Sequence, residues 1–383
     1  MNIYYWSPFL SKVATVKAVV NSAQGLKFFS KNRINTSIID VSGEWINEKT
    51  KLYEKKLSII KIYKKNYYKK LPRFGFLKSR LSYSIIFIKS FYPLLRLLNR
   101  NKPDFFIIHL ITSLPLVLLF FFNFNTKFIL RISGFPKINF LRKILWKSIS
   151  AKIYLVTCPT VATLQFLKNK KIFPEQKLAF LPDPILDIDE YIKKVKKIEL
   201  LEKNFNKKSS LLTIGRLTKQ KNLSFLIKCF KKISMKIDYL NLFIIGEGEE
   251  KKLLENLINT LNLNKKVFLL GYKENIFNYL NNCKCFLLTS LWEDPGFVLV
   301  EAGISNATIL SSNCPNGPIE ILENGRNGFI FDSNSEKSFI NSFNEYLNSK
   351  EKDILKKKIN LKKKIKLYTK FNHYKILNNF LQK

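Results

Sequence analysis

Short apolar runs alternate with longer amphipathic stretches twice along this chain, and between the two series the pattern breaks at Leu181-Pro182-Asp183-Pro184. In the first series residues 3–6, 36–41, 105–109, 128–133 and 152–157 read as strands, with helices expected over 13–30, 78–99, 114–122 and 139–150. In the second, strands are expected at 210–214, 240–245, 267–270, 285–289, 308–311 and 328–331. Helices fall between them at 222–232, 249–261, 276–281, 296–305 and 318–323. Strands separated by helices cannot close as hairpins. They imply parallel sheets covered on both faces. The expected architecture is α/β, with two Rossmann-like doubly wound domains at 1–183 and 210–350 joined by a linker at 184–209. The basic helices of 351–383 are expected to return toward the first domain. Ligands of such sheets lie beyond the carboxyl ends of the strands, which predicts a cleft between the domains.

Composition narrows the classes of function. A chain of 383 residues suits two domains, and 46% apolar residues, 33 of them Phe, exclude intrinsic disorder. The cysteines number five, an odd count without paired-ligand spacing, so reduced and buried thiols are expected. The net charge of +38 has two readings. One is a Lys-, Ile-, Asn- and Phe-rich composition; the other is an anionic partner, a membrane surface or phosphate-bearing substrates. No helix-turn-helix, zinc or RNP-type signature supports nucleic acid.

The start Met1-Asn2-Ile3-Tyr4-Tyr5-Trp6 reads as a strand without a basic leader, so a cytoplasmic location is expected. Residues 105–124 lack charge and are long enough to cross a bilayer, but His109, Thr112, Ser113 and Pro115 interrupt them. A buried strand followed by an apolar helix is expected there. Peripheral attachment through 116–122 is a separate reading.

The chemistry concentrates in the second series. Glu293 and Glu301 are separated by seven residues, with Asp294-Pro295 expected to start a helix as N-cap and first helical residue. At the helical rise the two carboxylates lie roughly 10 Å apart along the axis. That spacing suits a diphosphate flanked by a sugar and a ribose, with the helix N-terminus between them offering N–H groups to the phosphates. Gly296 permits close backbone approach. Upstream, a strand ends at Gly215 in a turn bracketed by Arg216 and Lys221, a donor fork and a point charge suited to a pyrophosphate. Asp187-Ile188-Asp189 has the form of a metal-binding DxD but lies in the expected linker. Gly246-Glu247-Gly248 is read as a strand-to-helix turn, since its carboxylate would repel phosphate. His109 ends a strand, either as a satisfied buried group or facing the cleft.

Taken together the chain resembles the family 4 retaining glycosyltransferases, of GT-B fold. The resemblance rests on Gly215-Arg216-Leu217 with Lys221, Ile245-Gly246-Glu247-Gly248, Leu270-Gly271-Tyr272, and Ser290 through Phe297 with Glu301-Ala302. It continues with Asn316-Gly317-Pro318-Ile319-Glu320 and Gly325-Arg326-Asn327-Gly328. It implies that Arg216 and Lys221 hold a donor diphosphate, Glu293 the transferred sugar and Glu301 the ribose hydroxyls. Gly296 and Phe297 would face sugar and phosphate, and Tyr272 and Lys273 the base. The implied activity is retaining transfer from a UDP-hexose or UDP-N-acetylhexosamine to a glycan or lipid-linked acceptor in cell-surface polysaccharide synthesis, with no metal. The loop over residues 7–14 departs from the family in lacking glycine; Lys12 is its candidate substitute. Two alternatives stand beside this reading. One is another enzyme on the same fold, such as a sugar phosphorylase or epimerase. The other is a basic membrane- or nucleic-acid-binding protein with an inactive cleft.

Overall fold

The computed structural model describes residues 1–10, 14–72, 76–197 and 199–382. They form two compact units, the first of Met1–Ile185 with Lys370–Lys383 and the second of Leu186–Thr369.

Unit 1 begins β1 (Asn2–Trp6), α1 (Ala14–Phe29), β2 (Asn35–Asp40), α2 (Lys49–Glu54), β3 (Ser58–Lys61) and α3 (Phe76–Asn101). It continues β4 (Phe105–Ile108), α4 (Ser113–Phe121), β5 (Lys127–Arg131), α5 (Phe140–Ile149), β6 (Ile153–Cys158), α6 (Val161–Lys170) and β7 (Leu178–Phe180). All strands are parallel, in the order β3-β2-β1-β4-β5-β6-β7. Parallel strands are covered on both faces, so the central ones are apolar throughout: every residue of β4, Phe-Phe-Ile-Ile, is buried. Residues 105–124 are thus a buried strand and a helix. In α4, Leu114, Leu116, Leu118 and Leu119 are buried, while Phe120, Phe121 and, just past the helix, Phe122 are exposed.

One face of this sheet carries α3, α4 and α5 over a core that includes Phe106, Leu116 and Trp146. Leu26 and Val19 of α1 share the other core with Leu377. Pro93 interrupts the hydrogen-bond ladder of α3, because proline has no N–H to give to the carbonyl four residues back. That carbonyl, of Lys89, receives the Tyr63 hydroxyl instead.

Unit 2 runs α7 (Ile188–Lys196), β8 (Ser210–Ile214), α8 (Leu223–Lys236), β9 (Asn241–Ile245), α9 (Lys251–Thr260), β10 (Val267–Leu269) and α10 (Phe277–Asn282). Then come β11 (Cys285–Leu288), α11 (Phe297–Ile304), β12 (Ile309–Ser312), α12 (Pro318–Leu322), β13 (Phe329–Phe331), α13 (Glu336–Asn348) and α14 (Glu351–Ile365). Its six parallel strands are ordered β10-β9-β8-β11-β12-β13. The last helix, α15 (Lys370–Leu381), belongs to unit 1, where a Cβ added to Gly25 of α1 would lie only 3.1 Å from the Lys370 stem.

Two boundaries differ from expectation. The stretch 184–209 is not a bare linker. It contains α7, capped by the Asp187 side chain and packed on α10 through Tyr191 against Phe277, ring centroids 4.9 Å apart. Of the basic C-terminal helices only α15 joins unit 1; α14 stays in unit 2. There Leu361 packs on Gly303 of α11, where an added Cβ would lie 3.0 Å from the leucine side chain.

Candidate functional site

In each sheet the strand order reverses beside the first strand, and in unit 2 this switch point lies between β8 and β11. Loops leaving adjacent strands in opposite directions open a crevice there, the usual place for a ligand in such sheets. The loop after β8 carries Gly215, Arg216 and Lys221, and the loop after β11 carries Glu293 and Gly296.

Four loops, those after β8, β9, β11 and β12, lock together at this edge. Gly215 N–H donates to Ile245 O at 2.9 Å, and Leu217 N–H to Glu247 O at 2.9 Å. Gly246, at φ +144°, lies so close that a Cβ would fall 1.8 Å from Gly215 O. Gly246-Glu247-Gly248 is therefore the turn the sequence suggested, serving as a brace. Leu291 N–H donates to Gln220 O at 2.8 Å, and the Gln220 side-chain amide returns to Trp292 O at 2.8 Å. Glu293 N–H reaches Pro315 O at 3.1 Å, and Asn316 Nδ2 reaches Asp294 Oδ1 at 3.2 Å.

Lys221 and Glu293 meet within this frame. Lys221 Nζ stands 2.5 Å from Glu293 Oε1, and Ser290 Oγ donates to the same oxygen at 2.6 Å. Glu293 is only 5% exposed, whereas Arg216 of the same loop edge is exposed. Helix α11 starts at Phe297, not at Pro295. Asp294-Pro295 is a cis peptide, and Gly296 at φ +93° turns the chain into the helix as its N-cap. Only glycine adopts that conformation at little cost, and having no side chain it leaves the first turn uncapped. The positive end of the α11 dipole accordingly opens beside the Lys221–Glu293 loops. Glu301, half-buried, lies one turn further along α11. Two cations, an uncapped helix start and two carboxylates can hold an anionic group with hydroxyls on both sides.

The remaining expected residues divide. Tyr272 is exposed, but Lys273 is taken by a triad: Glu202 Oε1 receives Lys273 Nζ at 3.0 Å and the Tyr279 hydroxyl at 3.1 Å. The Glu202 hydrogen bond holds the Lys273 ammonium above its usual pKa. His109 is in unit 1 and buried, its ring 5.9 Å from that of Tyr5. Burial, then the charge of Arg131, pushes its pKa well below the ordinary value, so the imidazole is neutral. Of the loop 7–14, residues 11–13, Lys12 among them, lie outside the described residues. Asp187 of the DxD-like triplet caps α7, accepting from Glu190 N–H. Among the described residues no three His, Cys, Asp or Glu side chains gather as a metal site, and all five cysteines are buried without a disulfide. Motif reading had given no role to Ser290, Gln220 or Glu202. Each is recognisable only once strands that are distant in sequence stand side by side.

Comparison with known proteins bears on the family and the fold. Residues 187–366 match the family described as glycosyl transferases group 1. An uncharacterized glycosyltransferase of Methanocaldococcus jannaschii is 34% identical over 265 residues, 64% of this chain and 64% of its own length. The Campylobacter jejuni N-acetylgalactosamine-N,N'-diacetylbacillosaminyl-diphospho-undecaprenol 4-alpha-N-acetylgalactosaminyltransferase is 33% identical over 147 residues, 38% of this chain and 39% of its own. In both, the similarity spans less than two thirds of the relative's length. The crystal structure of Anabaena HepE with UDP and glucose superposes with a TM-score of 0.74 at 14% identity, covering 100% of this chain and 99% of that one. The segment 187–366 thus matches the glycosyl transferases group 1 family, and the two parallel-sheet units have the GT-B fold.

Proposed function

We propose that this chain is a retaining glycosyltransferase, moving a sugar from a UDP-hexose or UDP-N-acetylhexosamine to a glycan or lipid-linked acceptor of cell-surface polysaccharide, in the cytoplasm. The observation that carries the reading is the Lys221–Glu293 pair beside the uncapped start of α11, at the switch point of unit 2. Support for the nucleotide comes from the HepE complex with UDP and glucose, and for the acceptor from the diphospho-undecaprenol in the name of the Campylobacter relative.

Unit 2 then holds the donor and unit 1 the acceptor. Arg216, Lys221 and the α11 dipole face the diphosphate. Glu293 accepts from sugar hydroxyls, Gly296 and Phe297 offer their amides, Glu301 takes the ribose hydroxyls, and Tyr272 lies under the base. Lys273 orders that turn through Glu202. The bond from the anomeric carbon to the phosphate oxygen breaks while the acceptor oxygen attacks on the same face, and the acceptor proton passes to the departing diphosphate. The cations stabilise charge growing on that leaving group, so this reading needs neither a metal nor a protein base.

A thermal-shift titration with UDP, UDP-glucose and UDP-N-acetylglucosamine tests it. At saturation near 100 times Kd, a bound donor stabilises by about 2.7 kcal/mol. The shift is expected in the unmutated protein and lost in Glu301→Ala and Arg216→Ala. A protein whose melting temperature no nucleotide raises does not have this donor site.

A further inference from the structure

We propose that unit 1 lies with its α3–α4–α5 face flat on an anionic lipid bilayer. This deepens the functional reading by bringing the chain to the surface where a lipid-linked acceptor resides, and the binding itself requires no turnover.

Helix α3 shows how the face is built. At about 100° per residue, positions 82, 86, 90, 94 and 98 share one side. Ser82, Ile86, Ser90, Leu94 and Leu98 are all buried against the sheet. On the opposite side Leu81, Ile88 and Tyr92 are 56%, 74% and 68% exposed. Lys78 and Arg96 run along one border of that stripe. The segment Lys78–Asn101 is long and apolar enough to cross a membrane. Its buried stripe is committed to the core, however, and crossing would strip that stripe away. Lying along the surface keeps it.

Its neighbours extend the patch. α4 packs against both α3 and α5. The C-terminus of α4 presents Phe120 and Phe121, held by the Lys152 ammonium on the carbonyls of Leu119 and Phe120 at 3.0 and 3.3 Å. α5 buries Trp146 and Ile149 and turns Phe140, Leu141 and Ile144 outward at 76%, 75% and 48% exposure. Single exposed apolar side chains are ordinary; eight on three adjoining helices mark an interaction surface.

Charge selects the occupant. The three helices contain no Asp or Glu and carry eight Lys and Arg residues. A second copy docked here would set cations against cations. Anionic headgroups supply the opposite charge, and acyl chains receive the apolar side chains.

Co-sedimentation with phosphatidylcholine vesicles, with and without phosphatidylglycerol, tests the proposal. Binding is expected to the anionic vesicles and to fall with salt. Lys143→Ala/Lys147→Ala should weaken it about thirtyfold. Ile88→Ser/Tyr92→Ser/Phe140→Ser should abolish it. Melting temperature and the UDP-induced shift, measured on the same variants, should be unchanged because these side chains are exposed and in unit 1. Absence of vesicle binding by the unmutated chain overturns the proposal, whatever UDP does. So does full binding by the triple variant, or loss in that variant of a dimer instead of vesicle binding. Failure of the UDP shift alone would overturn the donor site and leave this surface standing.

Discussion

Lys221 Nζ and Glu293 Oε1 are 2.5 Å apart, so the cation assigned to the diphosphate is paired with the carboxylate assigned to the sugar. An arriving diphosphate competes with Glu293 for that ammonium. Glu293→Gln keeps the shape and removes the competitor. UDP alone should then bind about fivefold tighter, the worth of roughly 1 kcal/mol for one partly screened charge. Sugar transfer should fall by about a hundredfold or more, because an oriented acceptor at the sugar is lost. Calorimetric titration with UDP checks the first part and product formation the second. Weaker UDP binding in this variant would show that Lys221 does not turn to phosphate.

The frame of the site makes a second prediction. At Gly317, φ is +143° and a Cβ would fall 1.8 Å from Pro295 O, backbone that cannot step aside cheaply. Gly325 also has positive φ, at +94°, but nothing lies within 4 Å of its Cβ direction. Gly325→Ala should cost about 1 kcal/mol from backbone conformation alone. Gly317→Ala should cost about 3 kcal/mol or more and push the 294–296 loop out of place, removing the UDP-induced shift. Urea titration of the two variants decides the matter; equal destabilisation would mean that the loop contact is soft.

How much of this was legible in the sequence follows from what each feature depends on. Most strands were legible because buried parallel strands are continuous apolar runs: 210–214 was expected as a strand and β8 is Ser210–Ile214. β3 was not, since Ser58–Lys61 sits at the sheet edge with no residue fully buried. α7 was hidden by its lysines, which reduced a real periodicity to a charged linker. Its anchor, Tyr191 on Phe277, is a contact across 86 residues. The start of α11 was misplaced because Asp-Pro is a good local helix signal, and the tertiary clamp of Glu293 N–H on Pro315 O overrides it. Gly215, Lys221, Glu293 and Glu301 are candidates that motif and spacing single out. Ser290 and Gln220 act through pairings that sequence distance conceals.

A last prediction concerns His373, which fastens α15 to unit 1. Its Nδ1 is 2.7 Å from Pro182 O, an acceptor only, so Nδ1 carries the proton. Nε2 then accepts from Ser22 Oγ at 2.8 Å, and Ser22 Oγ in turn accepts from the Tyr5 hydroxyl at 2.9 Å. A second proton on the ring would leave Ser22 facing two donors. Burial, reinforced by the Arg131 charge, lowers the His373 pKa to about 3. Between the unfolded value near 6.5 and this one, the unfolded chain binds the extra proton. Stability therefore falls as pH falls, by up to about 1.4 kcal/mol per pH unit for the group. His109, also lowered, adds in the same sense. Glu44 opposes them: burial and Asp40 raise its pKa to about 8, so the folded state gains its proton first and stability rises as pH falls. The total slope is thus a poor gauge, and the difference between unmutated protein and His373→Gln isolates the one residue. Denaturant melts from pH 7 to about 4.5, above the range of ordinary carboxylates, should show the variant less stable at pH 7 by about 1–3 kcal/mol. The gap should narrow steadily on acidification, and a gap constant over that range would show that His373 is not held neutral by the fold.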